Sequence, residues 1–331
     1  MTHIALLLLA FIGAGILLQL AQQTYEYLLF HFIPSSHPLQ AYRRPGTPGA
    51  HALITGASAG IGLGIAQELV RQNFGVILHG HRPDELAVAA VSLRNIRPGA
   101  SVHVRVLDAR SATPEEMEEL VSSISHLNVS ILVNNVGGNP AAEPAIREFR
   151  TYSCDDVDAV INQNARFMAR LTALMLPVLA KRREGVVDGE EKSLILSMSS
   201  AGMHGLPWLQ MYGATKAFNW GLSVGLAREL ETSNETRHVD ALCVVPGEVK
   251  SQGNCRGVPD KAPTADAFGK MVVQKVDRAV QLGWREMRPD WRHDLQIALL
   301  TRLPEGTRTM GVTEQAKAKK DAWTEWWEKN H

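Results

Sequence analysis

Cysteine is scarce and charge imbalance is absent. Three cysteines, Cys154, Cys243 and Cys255, lie scattered through 331 residues, an odd number that fits neither a disulfide framework nor a zinc motif. The folded part is therefore expected in a reducing compartment, with no metal site. Thirty-four basic residues offset thirty-four acidic ones, which removes the electrostatic ground for a nucleic-acid partner. Internal repeats and low-complexity tracts are also missing, so repeat architectures and disorder are set aside. What remains is a chain that is 45% hydrophobic and 21% charged, enough apolar material for one large domain or two small ones.

No lysine or arginine precedes the first apolar run, and no A-x-A site clearly follows it, which weighs against a cleaved signal peptide. The run, Ile4 to Ala21, has Gln19 as its one polar residue. As a helix it would span ~27 Å, close to a bilayer core of roughly 30 Å. It reads as a retained membrane anchor, with cleavage as the alternative. Arg43 and Arg44, beyond the run, favour a cytosolic position for the remainder. Between them, Tyr25, Tyr27, Phe30, His31 and Phe32 either lie at headgroup level or begin the folded core, and both readings stand. The cluster R-P-G-T-P-G, Arg44 to Gly49, marks a linker. Residues 1–49 are thus anchor and linker, and 50–331 the domain.

From Ala50 onward short apolar runs alternate with longer helical segments. Strands are predicted at Ala52–Thr55, Gly75–Leu78, Val102–Leu107, Ile131–Asn134, Ser193–Ser197 and Ala241–Val245. Helices are predicted at Ile61–Gln72, Arg82–Asn95, Pro114–Ser125, Cys154–Arg183 and Met211–Leu230. Strands joined by helical crossovers specify an α/β fold, a doubly wound parallel sheet with helices on both faces.

L-I-T-G-A-S-A-G-I-G, Leu53 to Gly62, closes the first strand and opens the first helix. Gly56 permits the tight turn, and Gly60 and Gly62 let the backbone approach a pyrophosphate at the positive helix end. An acidic residue at the end of the second strand would hold a ribose 2′-hydroxyl, but Gly80, His81 and Arg82 stand there, and Asp84 lies too far into the next helix. A cation without a carboxylate suits the 2′-phosphate of NADP(H), with Arg82 as its partner.

The ordered set T-G-A-S-A-G-I-G, N-N-V-G at Asn134–Gly137, Y-x-x-x-K at Tyr212/Lys216 and P-G-E-V-K-S at Pro246–Ser251 resembles the short-chain dehydrogenase/reductase family. The N-terminal apolar segment, Ile161–Pro177 and Asp290–Glu305 extend the resemblance to its membrane-anchored branch of very-long-chain 3-oxoacyl-CoA reductases and 17β-hydroxysteroid dehydrogenases. Val136 departs from the usual alanine and Ser251 from the usual threonine, and the E-K-N-H terminus lacks a dilysine signal. The resemblance implies cofactor contacts at Ser58, Ile61, Asp108, Asn135, Pro246, Gly247, Val249 and Ser251. It implies a substrate lid over 251–300, an endoplasmic-reticulum membrane, and pairing of two copies through the long helices.

A ketone that accepts a hydride needs a proton and hydrogen-bond donors at its oxygen. Tyr212 is the expected acid. Lys216, four residues on and on the same helix face, is expected to lower the tyrosine pKa. The resemblance adds that Lys216 holds the nicotinamide ribose. Ser199, 13 residues before Tyr212, is the expected oxyanion donor, with Ser200 as runner-up if the loop is shorter. Asn164, with Asn162 competing, would connect Lys216 to solvent through a water. His293, Trp208, Trp284 and Trp291 read as packing residues. The expected activity is reduction of a lipophilic carbonyl substrate, favoured 3-oxoacyl-CoA. The rivals are a steroid or secondary-metabolite alcohol dehydrogenase and a nucleotide-binding sensor without turnover.

Overall fold

The structure, a computed structural model, describes residues 2–33, 35, 39–43, 49–138, 144–181 and 191–330. The segment expected as an anchor forms one helix, α1 (Thr2–Phe32), whose apolar face stands exposed along its first two-thirds. Residues 44–48 of the expected linker lie outside the described residues.

Six strands fall where the apolar runs predict them: β1 (His51–Thr55), β2 (Gly75–Gly80), β3 (Val102–Val106), β4 (Val129–Asn134), β5 (Ser193–Met198) and β6 (Val239–Val244). Five of them are almost wholly buried, as strands covered on both faces must be. A short β7 (Glu286–Met287) completes a parallel sheet of order β3-β2-β1-β4-β5-β6-β7. Two residues give too little alternation to be read from sequence. The crossovers are α2 (Gly60–Arg71), α3 (Pro83–Ile96), α4 (Pro114–Ser122), α5 (Cys154–Ile161), α6 (Phe167–Ala180) and α7 (Gln210–Leu230). The chain reverses direction across the sheet between β1 and β4. At such a switch point two adjacent strand ends open a crevice, the usual ligand position in doubly wound sheets.

Three features differ from the sequence reading. The helix expected at Cys154–Arg183 is broken by a π turn at Asn162–Arg166 between α5 and α6. The region expected as a lid contains α8 (Ala265–Gln281), a core helix that buries Phe268, Val272, Val273 and Val276. Gly64 and Gly269 let α2 and α8 cross: a Cβ on Gly269 would lie 2.4 Å from the Gly64 carbonyl carbon. Thirdly, Phe30, Leu39 and Tyr42 are buried in the main core, so the core recruits side chains from ahead of residue 50. Of the two readings of the aromatic stretch, Phe30 takes the core one, while Tyr25 and Phe32 stay exposed. Two helices not predicted from sequence, α9 (Trp291–Leu300) and α10 (Glu305–Asn330), close the chain.

Candidate active site

The glycine turn and the end of β4 are tied to each other. Thr55 Oγ1 accepts from the backbone N–H of Asn135 (2.8 Å) and Val136 (3.0 Å), and Asn135 Nδ2 donates to the carbonyls of Thr55 (3.0 Å) and Gly56 (3.1 Å). Asn135 thus braces the turn from beneath. Gly56 and Gly60 adopt the left-handed conformation, at φ +63° and +61°. Gly62 has no room for a side chain: a Cβ there would meet the Gly56 oxygen at 2.4 Å. Among the described residues no side chain caps the first turn of α2, which leaves its N–H groups open to an anion beside Gly60. Ser58 and Ile61 flank Gly60 on the same turn, and Ser251 faces it from across the crevice, 3.5 Å from where a Gly60 Cβ would stand.

On the other side of the crevice, α7 carries Tyr212 and the buried Lys216 one turn apart. The Lys216 ammonium donates to the Met198 carbonyl (3.1 Å) and lies 5.7 Å from the centroid of the Tyr212 ring. It passes over Gly137, where a Cβ would come within 2.7 Å of Nζ. Asn164, fully buried in the π turn, accepts from Gly138 N (3.0 Å) and donates to Gly138 O (2.9 Å) and Thr215 Oγ1 (3.0 Å). Its amide clamps the β4 loop to the helix that holds Lys216. Asn162, by contrast, lines a surface cavity of about 200 Å³ with Arg110, Arg166 and Arg170.

The two serines face different ways. Ser199 Oγ donates to the Lys216 carbonyl (2.7 Å), which commits its proton to α7. Ser200 Oγ accepts from Gly202 N (3.1 Å) and stands near enough to the Tyr212 phenol to pull its pKa down. Successive residues leaving a strand point to opposite sides, so the one-residue difference decides which hydroxyl meets the crevice. The sequence preference for Ser199 is thereby reversed.

A tyrosine and a lysine on one helix face, a serine at the end of the fifth strand and a glycine turn at the switch point are joined in one crevice. Residues 50–260 match the family model for short chain dehydrogenases. This chain belongs to that family. It is 27% identical over 250 residues to a very-long-chain 3-oxoacyl-CoA reductase of Pyricularia oryzae, covering 75% of this chain and 71% of the relative. A very-long-chain 3-oxoacyl-CoA reductase of Podospora anserina is 32% identical over 222 residues, 67% of this chain and 61% of its own length. Among solved structures, a short-chain dehydrogenase from Sphingobium yanoikuyae in complex with NADPH superposes with a TM-score of 0.58 at 21% identity, covering 77% of this chain and 97% of that one. The dehydrogenase is an oxidoreductase of CH–OH and C=O groups.

Its electrostatics correct one expectation. Burial pushes the Tyr212 phenol above its ordinary value; the Ser200 hydroxyl pulls it down and the Glu248 carboxylate raises it again. Lys216 does not lower it, because its ammonium lies over the ring and bonds Met198 rather than the hydroxyl. Burial also brings Lys216 down to about 8. Both groups are therefore desolvated with few partners.

The remaining expected residues take less direct places. Arg82, at the start of α3, is paired with Glu85 (2.6 Å), and Asp108 with Arg110 (2.8 Å), whose guanidinium holds the carboxyl below its usual range. In the P-G loop, the Pro246 carbonyl accepts from Ala201 N (2.9 Å), Val249 is buried, and Gly247 N donates to His293 Nδ1 (3.2 Å). The sequence reading missed α10 as a wall of the crevice. Lys319 pairs with Glu248 (2.8 Å), Lys320 lies over the Trp208 ring (5.0 Å), and Arg256 stacks on Trp326 (3.8 Å). Lysines followed by tryptophans on a polar helix form no motif to betray it.

Proposed function

We propose that this dehydrogenase is a membrane-anchored, NADPH-dependent reductase of the 3-keto group of long-chain acyl thioesters, in the endoplasmic reticulum with its domain facing the cytosol. The observation that carries the reading is the joining of Ser200, Tyr212, Lys216 and Asn164 at the switch point of a chain whose curated relatives are 3-oxoacyl-CoA reductases. The crevice fits a dinucleotide: the uncapped α2 N-terminus and the open Gly60 offer N–H groups to a pyrophosphate, and the underpartnered Lys216 ammonium offers donors to a ribose. Arg82, with no carboxylate at the end of β2, supports the 2′-phosphate form. The exposed run of α1, within a 30-residue helix of sufficient length and hydropathy, supports the anchor.

Bound NADPH would supply the hydride to the carbonyl carbon. The protein's part lies at the oxygen. Tyr212, kept protonated by burial, holds the proton that the developing alkoxide needs, and the Ser200 hydroxyl orients the phenol and donates to the same oxygen. Lys216 stands over the ring and donates to the Met198 carbonyl, which leaves its other ammonium donors for the nicotinamide ribose. Asn164 keeps Lys216 in place through Thr215 and Gly138.

The test is NADPH oxidation by purified full chain with acyl-CoA, sterol and small-ketone panels, beside Tyr212→Phe. A long-chain 3-oxoacyl-CoA should be the best substrate, and Tyr212→Phe should lose about 10²–10⁴-fold in kcat. Equal rates for the two proteins, or a preference for sterols, would overturn the mechanism or the substrate respectively.

A further inference from the structure

α9 has two opposed faces. His293 and Ile297 are buried, while Trp291, Leu295 and Leu299 stand 46%, 45% and 58% exposed on the other side. Spaced four apart, the three share one face of the helix. Leu303, just past the helix end, continues the line. A single exposed leucine needs no explanation, but four large apolar side chains in a row ask for a covering surface.

α1 decides which surface that is. Its last turns are locked beside α9, where the Tyr27 hydroxyl donates to the Trp291 carbonyl (3.1 Å) and His31 pairs with Asp294 (2.9 Å), while the Phe30 ring lies 4.8 Å from Trp284 in the loop after α8. Tyr27 follows Ala21 by six residues, ~9 Å along a helix. The headgroup layer adds roughly 5–7 Å outside each side of the hydrocarbon core. With Ile4–Ala21 across the core, Tyr27 reaches the outer headgroup level, and any tilt of the long α1 brings it lower. Trp291 goes with it.

We propose that the outer face of α9, from Trp291 through Leu295 and Leu299 to Leu303, is a second membrane contact, lying in the headgroup and acyl boundary of the leaflet from which α1 emerges. An amphipathic helix with a tryptophan at one end is suited to that boundary. Arg302, exposed and folded back onto the Ala298 carbonyl, stands where a cation meets lipid phosphates. The contact also has a consequence for the site. His293, on the inner face of α9, holds the P-G loop at Gly247, so the crevice is kept at a set height above the lipid.

This inference rests on the reading of α1 as an anchor, and the experiment separates the two. In full chain carrying Cys154→Ser and Cys255→Ser, with the buried Cys243 left in place, spin labels are attached at Leu295→Cys, Leu299→Cys, Phe11→Cys and Glu118→Cys. Each protein is reconstituted in vesicles of phosphatidylcholine and phosphatidylserine. Glu118 is exposed on α4, whose buried side chains join the core on the opposite sheet face from α8. The label at Phe11 should collide with oxygen and not with a water-soluble nickel chelate, and labels at Leu295 and Leu299 should follow it, while Glu118 shows the reverse. Labels at Leu295 and Leu299 that behave like Glu118, with Phe11 still in lipid, overturn the second contact and leave the anchor. A water-exposed Phe11 removes both. Spin–spin broadening at Leu295 and Leu299 with shielding from both relaxants would assign the face to a second copy and overturn the lipid contact.

Discussion

Ser199 and Ser200 differ by one position and by everything their hydroxyls touch. Because Ser200 meets Tyr212 while Ser199 bonds the Lys216 carbonyl, Ser200→Ala is expected to lower kcat by about 10²–10³-fold. Ser199→Ala should chiefly cost stability, about 1–3 kcal/mol for a buried acceptor left bare. Steady-state rates and urea midpoints for both variants check the pair; matching kcat losses would return the two serines to equality. Lys216 gives a pH signature. Its folded pKa, about 8, lies below the ordinary lysine value of 10.5, so the unfolded chain binds its proton more tightly. The stability cost is complete below pH 8 and fades as pH rises toward 10.5. Without cofactor, Lys216→Met should therefore be more stable than the native protein at pH 7, by up to about 3 kcal/mol, with the gap closing by pH 10.5. Denaturant melts across that range measure it, and a gap independent of pH would remove the burial argument.

Among the elements, the crossing of α2 and α8 is the most constrained. Gly269 faces the Gly64 and Ile65 backbone, which no rotamer change can move aside. Gly269→Ala should destabilise the fold by about 1–3 kcal/mol or more while leaving the rate per folded molecule unchanged, as equilibrium unfolding and active-site titration together would report. A wild-type urea midpoint would mean that the helices slide freely. The π turn between α5 and α6 shows a different use of local geometry. One extra residue in the turn aims Asn164 inward at Gly138 and Thr215, whereas a regular helix would carry the motif past the β4 loop.

At the scale of the whole molecule, the boundary between the exposed apolar run and the enzyme falls within α1. Phe30, Leu39 and Tyr42 belong to the core, and Asp277 on α8 accepts from Leu39 N (2.7 Å). A chain beginning at Ala50 would strip these contacts, so the appropriate shortened protein begins at Gln22. Carbonate extraction should leave the full chain in the membrane pellet and release the protein that begins at Gln22. A full chain freed by carbonate would refute the anchor. Pairing of two copies through the long helices is what the family resemblance implies, and sedimentation in detergent would measure it.

The glycine turn, the Tyr212/Lys216 spacing, six strands and the exposed run of α1 were legible in the sequence, because each depends on backbone conformation or on a short-range period. What stood far apart in the chain was decided only by packing. The choice between Ser199 and Ser200 turned on the way each residue leaves β5, and Asn164 over Asn162 on a π turn that no apolar period reports. The meeting of α10 with Glu248 and of α1 with α9 brings together residues separated by 71 and more than 260 positions. Local chemistry writes the motif into adjacent residues, but the partners of a buried charge or an exposed apolar stripe exist only once the chain has closed on itself.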